Sequence, residues 1–444
     1  MKRRYAAGLG LGVLLIGGAA ALTASQARPP ALRLAVLAQS TAAAQAPTFS
    51  RDVAPILYKN CVGCHRPGEA APMSFLTYAA ARPWARAMTR RVTDGTMPPW
   101  HADAAAGTFE NERRLTADEK SIIARWADAG APEGDPKDLP AAPTFAEGWS
   151  IGAPDVVFQM AEDYAVPATG TVQYEYFTIP TNFTESKWLQ AIEVRPGNRA
   201  LVHHVLVYYQ APPDPTLAAA AQALQLNLQH SRTPPPTPGN RPRQRAVGQR
   251  RLIATYAPGT APQVFRPGTA MRLPAGGVIE LQMHYTANGT AGTDRSRVGL
   301  IFAKEPPKSE IFATQFLNGQ FTIPPGAADY QVDTDIGFRE DVTVWGVFPH
   351  THVRGKRWNY VLELPDGTRK PLLSVTKYDF NWQTYYMFKE PLEIPKGSRI
   401  HSSAWYDNSA ANRANPDPSV EVKWGDQTWE EMQYTGLLLS VKPR

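Results

Sequence analysis

A pentad near the N-terminus, Cys61-Val62-Gly63-Cys64-His65, leaves little freedom to the residues around it. Two thiols three residues apart, followed directly by a histidine, form the attachment signature of c-type haem. The thiols reach the two vinyl groups of one macrocycle and the histidine ligates iron from one side. A stretch that carries this pattern must wrap a large planar group. A thioredoxin-like Cys-x-x-Cys would lack the histidine and would sit in a βαβ pattern, which is missing here. A zinc site would need further close ligands, which are also missing. The chain has no other cysteine, so whatever follows holds together by packing alone, or by metals, without disulfides.

The flanks agree with a helical wrapper. Residues 50–60 are predicted helical, with Val53, Ile56 and Leu57 on one side, and run straight into the pentad. A second axial ligand is expected downstream. Met97, in Asp94-Gly95-Thr96-Met97-Pro98-Pro99-Trp100-His101, is the leading candidate, because a thioether on a proline-stiffened loop is a usual axial partner. Met73, Met88 (in a predicted helix over 83–92) and His101 are the alternatives. Thr116-Ala117-Asp118-Glu119 reads as a capping box opening a helix with Ile122, Ile123 and Trp126 at helical spacing, closed near Gly130. In this order the elements resemble a class I cytochrome c over residues 47–132. The resemblance implies a small all-α domain with one covalently attached haem c on Cys61, Cys64, His65 and Met97.

Residues 1–46 start Met-Lys-Arg-Arg and continue apolar and small to about residue 24, the pattern of a secretory signal peptide and leader. Cleavage points are expected after Ser25-Gln26-Ala27 or Ala44-Gln45-Ala46, and the expected location is the periplasm. The chain would be held at a membrane only if this segment stayed uncleaved. The leader also distorts the charge. It carries Lys2, Arg3, Arg4, Arg28 and Arg33 and no acid, so its loss takes the formal charge from +6 to +1. The sequence pI of 9.1 is therefore no sign of nucleic-acid binding, which is not expected. The arginines gathered between 232 and 251 stand among prolines and read as a solvated loop.

Residues 133–146, rich in Pro, Ala and acids, read as a linker. From Trp149 the texture changes to short alternating runs punctuated by Gly, Pro, Asn and Asp, the mark of β-sandwiches or barrels. Strands are predicted over 172–179, 189–194, 201–209, 278–285 and 342–348, with an alanine-rich, then Pro/Arg-rich insertion between 211 and 251. The expected chain is multidomain: the all-α cytochrome domain, a first all-β sandwich (147–305) and a second (306–444), jelly-roll-like.

The β part carries the remaining candidate ligands. Residues two apart on a strand share a face, so His350 and His352, in Phe348-Pro349-His350-Thr351-His352, send both imidazoles into one space. Two neutral imidazoles suit copper, zinc, iron or nickel without choosing among them. His203 and His204 sit side by side on a predicted strand and need a bulge or twist there to share one metal. His284 precedes Tyr285 on another strand. The order His-His, His-Tyr, His-x-His resembles the copper type II monooxygenases, the family of peptidylglycine α-hydroxylating monooxygenase and dopamine β-monooxygenase, over residues 147–444. That resemblance implies two copper ions across a solvent-filled cleft: one on His203, His204 and His284, the other, catalytic, on His350, His352 and Met432. Met432 otherwise reads as a core methionine. His230 and His401 match no family ligand. The residues with which the family reads a peptide carboxylate are not identifiable, and the substrate stays open.

The expected activity is a periplasmic copper monooxygenase that hydroxylates a C–H bond of a small organic substrate with O2 as co-substrate. A periplasmic electron donor would reduce the haem, and the haem the copper, with Met97 making it a moderate-potential relay. Two alternatives remain. One is an electron-transfer c-type cytochrome whose β-module docks or binds metal without catalysis. The other is a non-haem iron or cupin-like oxygenase using His350, His352 and a carboxylate.

Overall fold

The computed structural model describes residues 46–69, 71–105, 107–145, 148–212 and 250–441. The leader, most of the insertion and His230 lie outside the described residues. No described helix is long and apolar enough to cross a membrane.

The molecule is mostly β-sheet, and its helices are few, short and confined to the first part of the described chain. Thr48 caps a helical turn, Phe49–Val53, that continues as Ala54–Asn60. Pro55 stands in the first turn of the latter, where its missing N–H costs nothing. Tyr78–Ala81, Arg82–Trp84 and Ala85–Thr93 follow almost without a break. Ala117–Asp128 starts at the expected capping box: Glu119 N donates to Thr116 Oγ1 and Thr116 N to Glu119 Oε2. These pieces close on one core in which Phe49, Leu57, Ile123 and Trp126 are fully buried. The linker packs against it, since Ser50 N donates to Glu133 O and the Trp126 indole to Pro132 O.

The first β-region holds two main sheets and a two-stranded ribbon, Tyr164–Val166 with Gly292–Asp294. One orders Val156–Gln159, Arg297–Phe302, Lys187–Arg195, Thr269–Leu273 and Ser309–Glu310, with Gln263–Val264 added to Lys187–Arg195. The other orders Glu175–Pro180, Val278–Tyr285, Val202–Gln210 and Arg250–Tyr256, all antiparallel. Leu189, Ile192, Val205, Val207, Leu281 and Leu300 fill the space between them. The end of the arginine-rich stretch is not a solvated loop: Arg250 and Arg251 open a strand, and Arg251 is buried with its guanidinium on Arg272 O.

The second β-region repeats the plan. Phe312–Leu317, Tyr434–Val441, Val342–His350 and Tyr386–Ile394 form one sheet, and Tyr330–Gly337, Arg399–Tyr406, Gly355–Glu363 and Arg369–Val375 the other. Val344, Leu437, Leu439, Trp358 and Ile400 are among the residues of its core. Phe348, Tyr385 and Leu438 pack instead with the first region's core. One sheet of each sandwich thus lies against the other, and strands there are apolar on both faces. Val205, Leu206, Val207 and Tyr208 are buried in succession.

The chain between the helices is pinned to the second sandwich. Trp100, Ala102 and Phe109 join its core, Asp103 N donates to Ser374 O, and Asn111 exchanges hydrogen bonds with Tyr385 O and Met387 N. The helical part is therefore a fixed wall of the β-regions.

Candidate functional site

The pentad leaves its helix at Asn60 and turns along the wall of a cavity of about 1210 Å³, larger than the roughly 300–1,000 Å³ usual for small-molecule sites. Cys61, Cys64, His65 and Met97 line it together with Arg199, His203 and Tyr256 of the first sandwich. Met73 and Met88 also line it, whereas His101 does not. Burial pushes the Cys61 thiol up to about 12, and raises Cys64 against the opposing pull of Arg113, Arg66 and Arg199. Both sulfurs are neutral thiols. The His65 ring stacks on Phe75 at 4.3 Å, its Nδ1 is buried without a partner, and burial holds it neutral. Gly259 approaches so closely that a Cβ there would run into Cys64 Sγ, and Arg113 donates to Gly259 O. The cradle is thus completed by the β-region.

The five candidate histidines gather beside that cavity. The pairing of Val202–Gln210 with Val278–Tyr285 shifts register between Val202 and His204. This irregularity is the one the adjacent pair required, and the His203 and His204 rings lie 4.0 Å apart. His204 and His284 are register partners, 5.7 Å between ring centroids. His350 ends its strand and His352 follows in the turn, with ring centroids 5.2 Å apart. Met432 is half-buried, and continuing the antiparallel count from His350↔Tyr434 puts it opposite His352. His401 lies elsewhere, between Asp335 and Glu363.

The space between the two groups is not a solvent-filled cleft. Tyr174 stacks on His284 at 3.5 Å and meets His352 edge-on at 6.3 Å, while the Phe380 ring stands 5.3 Å from His204 and 5.9 Å from His352. These rings exclude water. His204, His284, His350 and His352 are buried, and burial lowers the pKa of all five, His350 to about 4 and His352 to about 3. At neutral pH they are uncharged imidazoles with one lone pair each, the state a metal needs.

Hydrogen bonds fix where those lone pairs are. Gln383 Nε2 donates to Phe380 O (3.1 Å), so its Oε1 must face His350 Nδ1 (2.6 Å), which therefore carries the proton. The second Nε2 proton points to His204 Nδ1 (3.3 Å), which must be bare, and His204 Nε2–H donates to Asn381 O (3.2 Å). Asn381 Nδ2 donates to Asp379 Oδ1, which leaves its Oδ1 to accept from His203 Nε2 at 2.9 Å. His352 Nδ1 donates to Glu430 O at 3.0 Å. His203 and His204 thus present Nδ1; His350 and His352 present Nε2. Both ring nitrogens of His284 are buried without a partner.

Donor chemistry and these orphaned nitrogens fit a metal, because ligating histidines characteristically give their other N–H to an oxygen. The side chains do not form a closed cage: among the described residues no three His, Cys, Asp or Glu groups stand together as a metal holder. Glu431, fully buried, accepts from His352 N (2.8 Å), Arg354 N (2.6 Å) and Met432 N (3.3 Å) and so braces the second group. Tyr174, Phe380, Asn381, Gln383 and Glu431 were not singled out from the sequence as site residues. The aromatic-rich run 378–386 suggests cleft lining or, more readily, sandwich core; Tyr385 and Tyr386 are core, and residues 379–383 form a strap joining the two groups.

No family model and no curated protein matches this chain. Solved structures overlap it loosely. The major capsid protein P2 from bacteriophage PM2 is 9% identical over 65% of this chain and 99% of its own, at a TM-score of 0.25. PNGF-II is 8% identical over 65% of this chain and 66% of its own, at 0.29. Infectious bursal disease virus, Gx strain, is 10% identical over 67% and 74%, at 0.19. Overlaps this loose bear on neither fold nor function.

Proposed function

We propose that the chain is a haem c-linked copper monooxygenase acting in the periplasm, its helical part a class I cytochrome c domain and its β-regions the two copper-holding sandwiches. The observation that carries this reading is one cavity lined by Cys61, Cys64, His65 and Met97 together with His203. Cys61 and Cys64 would attach the haem covalently, and His65 and Met97 would be its iron ligands. His203, His204 and His284 would hold one copper, and His350, His352 and Met432 the catalytic one, a set of two imidazoles and a thioether that favours Cu(I). When bound, haem supplies single electrons and copper supplies O2 activation, so that a C–H bond, O2, two electrons and two protons give C–OH and water.

The chain's own part is to hold and to exclude. Asn381, Gln383 and the Glu430 carbonyl set the imidazole tautomers. Tyr174 and Phe380 keep water out between the groups. Gly259 and Arg113 hold the pentad against the sandwich that carries His203. The test is copper per haem, with EPR of the oxidised protein. Two type II coppers beside one low-spin haem, and O2 uptake with a panel of small aromatic and aliphatic compounds, support the reading; copper-free haem protein overturns it. The absence of a closed cage among the described residues favours a second reading, an electron-transfer cytochrome with a docking β-module. On that reading, substituting His352 leaves every activity unchanged.

A further inference from the structure

We infer that the strap formed by residues 379–383 couples the two histidine groups, with Gln383 as the residue through which occupation of one is felt at the other. This deepens the copper reading and rests on it. The strap belongs to the second sandwich, yet Asn381 fixes His203 and His204 of the first, and Asp379 and Trp382 line the haem cavity. Among the described residues, Gln383 alone hydrogen-bonds to ring nitrogens of both groups. Its amide is buried and has three partners, Phe380 O, His350 Nδ1 and His204 Nδ1.

The consequence follows from which lone pair is in use. His350 gives Gln383 its Nδ1 proton and keeps Nε2 free, so the second group can take a metal with the amide undisturbed. His204 is different: its one lone pair is at Nδ1, and the amide N–H already occupies it. A metal ion claiming that nitrogen must displace Gln383, the side chain that also orients His350. The two groups therefore load in order, the second with the strap in place and the first against it. Gln383 is a positioning residue: it touches the ligands and never the reacting atoms.

Two substitutions separate the two halves of the amide. Gln383→Met removes donor and acceptor. It should tighten Cu(I) binding at the first group and weaken it at the second, each by about tenfold, the lower end of what losing a partner of a ligating histidine does. Gln383→Glu keeps the acceptor for His350 and loses the donor to His204. Its second oxygen faces His204 Nδ1 and draws a proton onto it, so it should weaken the first group, opposite to the Met variant, and leave the second at least as tight as in the wild type. The measurement is Cu(I) titration of the haem-loaded full chain against a chromogenic chelator, with Cu(II) EPR to tell the groups apart. Should the Met variant fail to fold, the near-isosteric Glu variant still carries the test. Two coppers bound with their affinity ratio unchanged in the variants overturns the coupling while the copper reading stands. A wild-type chain that binds no copper overturns both.

Discussion

His284 lies directly across the ladder from His204, the ring centroids 5.7 Å apart, yet neither of its ring nitrogens has a hydrogen-bond partner. Burying an imidazole this way costs about 1–3 kcal/mol. Nothing in the packing requires it, because Tyr174 stacking on its face asks only for a flat ring. His284→Phe, which keeps a flat ring without the two nitrogens, should therefore leave the metal-free protein as stable or raise its Tm by a few degrees, while removing copper from the first group. Calorimetry of the metal-free protein and copper analysis check the two halves separately. A large loss of stability would mean that the ring is held for packing and not for a ligand.

Acid should unfold the metal-free chain early. The five histidines have folded pKa values below the unfolded value near 6.5, chiefly through burial, with His350 at about 4 and His352 at about 3. Below 6.5 the unfolded state binds protons that the folded state refuses. Stability is then full above about pH 7 and falls as pH drops from about 6.5 towards 4, by up to about 1.4 kcal/mol per pH unit for each such histidine. Chemical denaturation at pH 7.5, 6 and 5 reads this directly. Copper, which binds the same lone pairs, should raise the whole curve without changing its slope at the upper end of that range, where neither folded form takes up protons on these rings.

How much of this was legible in the sequence depended on spacing. The His-x-His pair could be read because strand geometry brings residues two apart to one face, and the rings do meet. The need for an irregularity at His203 and His204 was equally readable, since adjacent strand residues diverge without one. Tyr174 was hidden because the predicted strand covered it, whereas the strand begins at Glu175 and Tyr174 is free to turn onto His284. Asn381 and Gln383 were hidden by the aromatic residues around them, which suggested core. The signal was there in Asp379, Asn381 and Gln383, polar side chains at every second position among rings, a pattern that suits a strap with one hydrogen-bonding face. The filled space between the groups was not readable, since it depends on which sheets of the two sandwiches abut.

Glu431 bears on the geometry of His352 through donors alone. All its backbone partners are N–H groups, from His352, Arg354 and Met432, and the Arg354 guanidinium is buried close by. Glu431→Gln would turn an amide N–H against one of those donors. It should destabilise the chain by about 1–3 kcal/mol, the cost of a mis-paired buried polar group, and lower copper occupancy at the second group before the first. Glu431→Asp, which keeps both oxygens but draws them back, should give a smaller loss in the same order. Metal content per haem and urea melts of both variants are the measurements.

Gly259 tests whether the helical part and the first sandwich work as one cradle. Its φ of +80° is a conformation that side chains rarely adopt, and an added Cβ would meet Cys64 Sγ. The backbone strain of a substitution is about 1–3 kcal/mol, and the collision falls on an attachment sulfur. Gly259→Val should therefore reduce covalent haem incorporation, read as haemochrome absorbance per chain, and slow any transfer of electrons from reduced haem to the histidine groups. Gly268, which also has a positive φ but only distant contacts with Lys308, supplies the control. Gly268→Val carries similar backbone strain and should leave haem incorporation unchanged. Equal losses in both variants would reduce the effect at Gly259 to general destabilisation, and the shared wall between the pentad and His203 would no longer be needed to explain it.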